Sequence, residues 1–405
     1  MLEPWLPLAL NGCHHPLVPA TVDSDHGEAP HPIMIPPEYR ILFRWRFWCL
    51  LALCRGPIAA HAQDKASLHI GPDDARIGYS DYVHLEFVPS PVDAAAKLAR
   101  FDRQLDIPAK GYRWDNPAAR VRFRTNATSV RAFLYFNELH SSTSARNSRG
   151  LYLIDGAGNP DWTFHTKATQ TRRGPESVEV TMNAGGVGGF HDYELVLPYG
   201  DSVDFQGVEV NADARFEAVP ARPATRYLAY GDSITHGFTA SAVDKTYAYL
   251  VAQKNGWQLV NLGLGGRASN ISDARVVTAL KADVISVFMG VNDWQGGGPL
   301  ERYRSNMMGF FDVIRAAQPT VPIYYLTSLW VAPSWNSKGQ VAELESYRQV
   351  AREIVAARKD PNLHLVEGPE LIDHDITLFD ATPVHPNDKG FAQMAERLAP
   401  QMRQP

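Results

Sequence analysis

Two patterns of apolar and polar positions divide the chain. From residue 63 to about 220, apolar and polar residues alternate over short runs, most plainly in "VRFR" and "SVEVTM", as they do in half-buried strands. The predicted strands are 82–88, 120–124, 130–136, 151–155, 177–182, 193–198 and 203–210. Turn signals separate them: Asp155-Gly156, Gly158-Asn159-Pro160, Gly185-Gly186 and Tyr199-Gly200-Asp201. Short strands at this spacing predict an all-β sandwich, jelly-roll-like, over 63–220. Residues 92–104 read as a short helix or a loop, and the proline-bearing stretch 219–226 as a linker.

From Arg226 the period changes. Apolar runs at 227–230, 258–266 (ending in a Gly-rich turn), 283–290, 322–328 and 363–368 alternate with helical stretches at 247–254, 271–280, 303–317, 341–358 and 390–402. Such alternation predicts an α/β domain over 226–405, a parallel sheet with helices on both faces. Open sheets of this kind place ligands at the carboxyl ends of their strands.

Those strand ends carry the candidate chemistry. The first strand stops at Gly231-Asp232-Ser233, the second runs into "NLGLGG" (261–266), the third into Gly290-Val291-Asn292-Asp293, and His385-Pro386-Asn387 precedes the last helix. Taken singly, each has a plain structural reading. Ser233 serves as a nucleophile or as a helix N-cap, Asn292-Asp293 as a cap, the glycines as turn formers and His385 as a loop histidine. Four such clusters in order point to one shared site.

The four segments "GDSIT", "NLGLGG", "GVND" and "HPND" resemble blocks I, II, III and V of the SGNH (GDSL-type) hydrolases, over about residues 226–405. The resemblance implies a serine esterase needing no cofactor. Ser233 would attack the ester carbonyl, and His385 would take its proton and return it to the leaving alcohol. The oxyanion would be held by the backbone N–H groups of Ser233 and Gly266 and by the Asn292 amide. One departure stands out. The family's last block reads D-x-x-H, yet Thr382 stands three residues before His385, and the nearest carboxylate is Asp380. Asp380, the Thr382 hydroxyl or a backbone carbonyl is therefore the orienting partner of the histidine, with Asp380 the first choice.

A β-sandwich ahead of such a domain is similar in layout to the family-two carbohydrate esterases. That implies removal of O-acetyl groups from an acetylated carbohydrate or another small ester. Trp294, Trp330 and Trp335 follow strand ends and either form a platform for sugar rings or pack the loops. The alternatives are a broad short-chain esterase or arylesterase, and a glycan-binding protein with a degenerate hydrolase half.

Targeting and composition narrow the setting. Residues 40–62 have the layout of a secretory signal peptide: Arg40, Arg44 and Arg46, an apolar Phe47–Leu53, and Ala60-His61-Ala62 before Gln63. A periplasmic or secreted protein starting at Met34 is expected, with residues 1–62 a leader and signal peptide. All three cysteines precede Gln63. The remaining chain has no thiol chemistry, and His140, His165, His191, His364 and His374 show no ligand spacing, so no metal is expected. After residue 62 the chain keeps 35 Lys and Arg against 39 Asp and Glu, which argues against a nucleic-acid partner. No apolar run is long enough for membrane insertion. Oligomeric state is not legible.

Overall fold

The computed structural model describes residues 67–103, 115–138, 149–158, 163–164, 175–182, 184, 188–221, 224–333, 335 and 341–403. The leader and signal peptide expected over 1–62 lie outside the described residues.

In chain order the first strands are β1 (Ser67–Ile70), β2 (Gly78–Ser80), β3 (His84–Pro89), β4 (Lys97–Asp102), β5 (Arg120–Thr125) and β6 (Val130–Glu138). There follow β7 (Gly150–Ile154), β8 (Thr163–Phe164), β9 (Glu176–Met182), β10 (His191–Val196), β11 (Ser202–Asn211) and β12 (Phe216–Glu217). They form two antiparallel sheets, β3-β4-β11-β6-β9 with β1 on β11, and β12-β5-β10-β7-β8 with β2 on β5. One apolar cluster joins them. Phe101, Leu134 and Phe205 from the first sheet pack with Val121, Phe123 and Leu195 from the second.

Strand β4 corrects the helix-or-loop reading of 92–104. Its apolar residues Leu98, Ala99 and Phe101 do not alternate cleanly, so period alone could not identify it. The strand exists because β3 and β11 hydrogen-bond it from both sides.

The second half begins at β13 (Arg226–Gly231), so the expected linker ends one residue earlier than 226. It continues through α1 (Ser233–His236), α2 (Tyr247–Asn255), β14 (Gln258–Gly263), α3 (Ala274–Ala279), β15 (Val284–Phe288) and α4 (Val291–Gln295). Next come α5 (Leu300–Ala317), β16 (Ile323–Leu326), α6 (Val341–Arg358), β17 (Leu363–Val366), α7 (Gly368–Leu371) and α8 (Asp388–Met402). The helix expected over 271–280 opens as a 3₁₀ turn, Ile271–Asp273, capped by Asn270, and only then becomes α3.

The sheet is parallel in the order β14-β13-β15-β16-β17. Both of its faces are covered, and successive residues of each strand go to opposite cores. Tyr227 and Ala229 join one cluster with α2 and α8, while Leu228 and Tyr230 join the other with α3, α5 and α6. The strand order reverses between β13 and β15, and this switch point leaves a crevice at the carboxyl ends of those two strands.

Asp64–Pro405 is one compact unit. Ala118, Leu151, Val196 and Tyr199 of the all-β region are buried in the same cluster as Tyr247 and Phe391 of the second half.

Candidate active site

The turn after β13 is built by steric exclusion. A side chain at Gly231 would meet Thr235 Oγ1 at 2.1 Å and the Phe288 carbonyl at 2.8 Å. Asp232 then leaves the strand and caps α1, accepting the Ile234 N–H at 2.9 Å. The cap is thus Asp232, and Ser233 is the first helical residue. Gly237 ends the helix with φ +106°. Gly263 at the end of β14 lets α1 lie on it, since a Cβ there would sit 2.1 Å from the His236 nitrogen. Ser233 is left 8% exposed, with Oγ 2.8 Å from His385 Nε2.

His385 is held by its own loop. Phe379 and Pro386 pair across it, and Asp380 N–H donates to the His385 carbonyl at 2.9 Å. The N–H groups of Val384 and His385 both donate to the Thr382 carbonyl, at 2.7 and 3.0 Å. This folds Thr382 against the imidazole, with Oγ1 3.0 Å from Nδ1. The Asp380 Oδ1 instead accepts the Ala381 N–H at 2.8 Å. The 3.0 Å hydrogen bond at Nδ1 is thus to Thr382, the second of the three partners weighed from sequence, rather than to Asp380. Thr382 occupies Nδ1, and Asp380 acts on the ring through its charge. In the tautomer with Nδ1–H donating to Thr382, Nε2 is free to accept the Ser233 proton. Burial pushes His385 down to about 4, with the Asp380 charge pulling the other way. Phe238 covers the ring edge-on at 5.0 Å. Thr239, at φ +79°, ties the two loops together by donating from Oγ1 to the Pro386 carbonyl at 2.8 Å.

The candidate oxyanion donors lie on three neighbouring strand ends. The Ser233 N–H belongs to the first turn of α1, where no intrahelical acceptor exists. Gly266 is exposed at φ +74°, and no atom lies within 4 Å of where its Cβ would be. The Asn292 amide, half-buried on α4, donates one hydrogen to the Arg267 carbonyl at 3.0 Å. That bond fixes the amide beside the Gly266 turn and leaves its second hydrogen for a ligand. Asp293 anchors the same loop, accepting from the Ser269 N–H and from Ser269 Oγ at 2.6 Å.

Charged groups lie beneath the turn. Arg267 stacks on Tyr230 at 4.5 Å and donates to the Gly231 carbonyl at 3.0 Å. Burial pushes Asp232 up to about 7, against the Ile234 hydrogen bond and the Arg267 charge. Arg103, just beyond β4 and fully buried, donates to the Asn261 carbonyl at 3.1 Å. The Asn261 side chain in turn donates to the Thr235 carbonyl at 2.7 Å and accepts the Gly263 N–H at 2.8 Å. The all-β region thus reaches both the helix bearing Ser233 and the strand leading to Gly266. Tyr199 adds a hydrogen bond to the Ala240 carbonyl at 2.8 Å.

The structure separates the three tryptophans. Trp294 is 2% exposed and packs against Trp335 at 5.6 Å, so it belongs to the core and forms no platform. Trp335 is half-buried against the same cluster. Trp330 is half-buried, stacked on His374 at 5.2 Å and packed on Phe379. Sequence reasoning passed over Arg103, Arg267 and Thr239. The Arg267 signal was its place after "NLGLGG"; Arg103 had no local signal at all.

Residues 229–393 match the family described as GDSL-like Lipase/Acylhydrolase. No curated protein matches the sequence. Solved structures share the fold. The salicylyl-acyltransferase SsfX3 of a tetracycline biosynthetic pathway is 22% identical, with TM-score 0.64 over 82% of this chain and 95% of its own. A GDSL-like lipase candidate from Bacteroides ovatus is 18% identical, with TM-score 0.65 over 84% and 98%. A family-two carbohydrate esterase from Cellvibrio japonicus is 16% identical, with TM-score 0.59 over 84% and 98%. Coverage this high takes in the all-β region as well as residues 226–405.

Proposed function

Since residues 229–393 form a GDSL-like lipase/acylhydrolase domain, we propose that the protein is an exported serine esterase that removes O-acetyl or other short acyl groups from carbohydrate. The observation that carries this reading is the Ser233 Oγ to His385 Nε2 contact of 2.8 Å, just past the carboxyl end of β13. Ser233 attacks the ester carbonyl as His385 takes its proton, and the oxyanion forms against Ser233 N–H, Gly266 N–H and Asn292. Collapse expels the sugar alcohol, protonated by His385. Water, activated by the same imidazole, then releases acetate. The shared fold with a family-two carbohydrate esterase supports the carbohydrate half of the proposal. The Arg-rich and Ala-x-Ala pattern before Gln63 supports export.

Acetate release from acetylated polysaccharides, alongside a p-nitrophenyl ester series from acetate to long chains, tests the proposal. A rate peaking at long acyl chains overturns it. Sequencing the amino terminus of secreted protein tests cleavage before Gln63. The fold shared with the salicylyl-acyltransferase favours a second reading, acyl transfer to an acceptor hydroxyl in place of water. Adding sugar acceptors and measuring new ester against free acetate separates the two.

A further inference from the structure

A polar cavity lies where the β5-β10 sheet meets α2 and the start of β14. Its volume is about 220 Å³, room for about seven waters or one pyranose ring in their place. Asp81, Arg120, Arg122, Glu194, Tyr249 and Trp257 line it. Asp81, Arg122 and Glu194 are 6%, 8% and 1% exposed. Arg120 bridges the acids, with Nε 3.0 Å from Asp81 and Nη1 2.8 Å from Glu194, and stacks over Tyr249 at 5.6 Å.

Three features mark this as more than packing. A buried ion network is seldom more stable than an apolar one of the same volume, so stability alone does not account for it. Asp81 is held at φ +64°, a strained conformation for a residue with a side chain. Ser80 and Arg120 both hold Asp81 Oδ2, while Oδ1 is buried with no hydrogen-bond partner among the described residues. A buried acceptor without a partner is seldom left by packing alone, and Asp81 is one of the residues lining the cavity.

We infer that this junction is a second, non-catalytic binding site for one neutral polyhydroxylated unit, such as a glycosyl residue. The acidic and basic lining charges balance, so an ion of either sign gains little. Acceptors and donors stand side by side, matching hydroxyls that both donate and accept. Trp257, half-buried at the edge of the cavity, adds aromatic surface for a sugar's C–H face. The cavity is at the amino end of β14 and the Gly266 turn beyond its carboxyl end, roughly 17 Å along the strand. The inference goes beyond the esterase reading and is tested apart from it.

The test uses the chain from Gln63 with Ser233→Ala, so that nothing turns over, titrated with neutral methyl glycosides by calorimetry and saturation-transfer NMR. Saturable binding is expected, weakened at least tenfold by Asp81→Asn and by Gln253→Trp. Gln253 is an exposed lining residue on α2, so its replacement blocks the cavity without loading the core if Asp81→Asn fails to fold. On the Ser233 background, both variants keep p-nitrophenyl acetate turnover within twofold. The inference is overturned if neutral glycosides do not bind, if folded Gln253→Trp binds them unchanged, or if glucuronate binds in preference to the neutral sugars.

Discussion

Replacing Thr382 with Val removes the hydroxyl 3.0 Å from His385 Nδ1 and keeps the shape of the side chain. Nδ1–H is then stranded beside a ring that burial already disfavours as a cation. Stranding such a group costs about 1–3 kcal/mol. The loss is felt most in the transition state, where the imidazole is charged and its hydrogen bonds strengthen. The expected result is a fall in kcat of about 5- to 150-fold with KM unchanged, and Thr382→Ser restores most of it. Asp380→Asn behaves differently. Its charge raises the His385 pKa, so removing it moves the acid limb of kcat/KM below its position near 4. The base is active when neutral, so the rate rises with pH through that limb and is flat above it. The assay is p-nitrophenyl acetate hydrolysis from pH 3.5 to 8, with thermal melts to confirm folding. If Asp380→Asn costs about 10⁴ while Thr382→Val is within twofold of wild type, Asp380 is the orienter and the reasoning fails.

Asn292→Ala should lower kcat by about 10²–10³, the usual cost of one oxyanion donor, with little change in KM for a small ester. Asp232→Asn keeps the cap on Ile234 but cannot ionise. Because burial raises the folded pKa of Asp232 to about 7, wild-type stability falls as pH rises from about 4 to 7, and urea unfolding of the variant should lack that component. Arg103→Met should lower kcat on p-nitrophenyl acetate with KM held, by loosening the Asn261 bridge between the Ser233 helix and the Gly266 strand. A change confined to the melting temperature would make Arg103 purely structural.

Much of this protein was legible along the chain because the information is local. A parallel sheet buried on both faces needs continuous apolar strands, and chemistry at its carboxyl ends needs small residues and a few polar ones. The runs ending at Ser233, Gly266 and Asn292 show both. The strands with clean alternation, such as 120–124 and 177–182, were readable for the same reason. What tertiary structure decided depends on partners distant in sequence. Strand β4 exists through pairing with β3 and β11, and Trp294 is buried by packing on Trp335. The hydrogen bond at His385 Nδ1 follows from a loop whose backbone bonds draw Thr382 against the ring. The Arg103 bond to Asn261 and the cavity around Asp81 join residues more than 100 positions apart, which no local pattern can register.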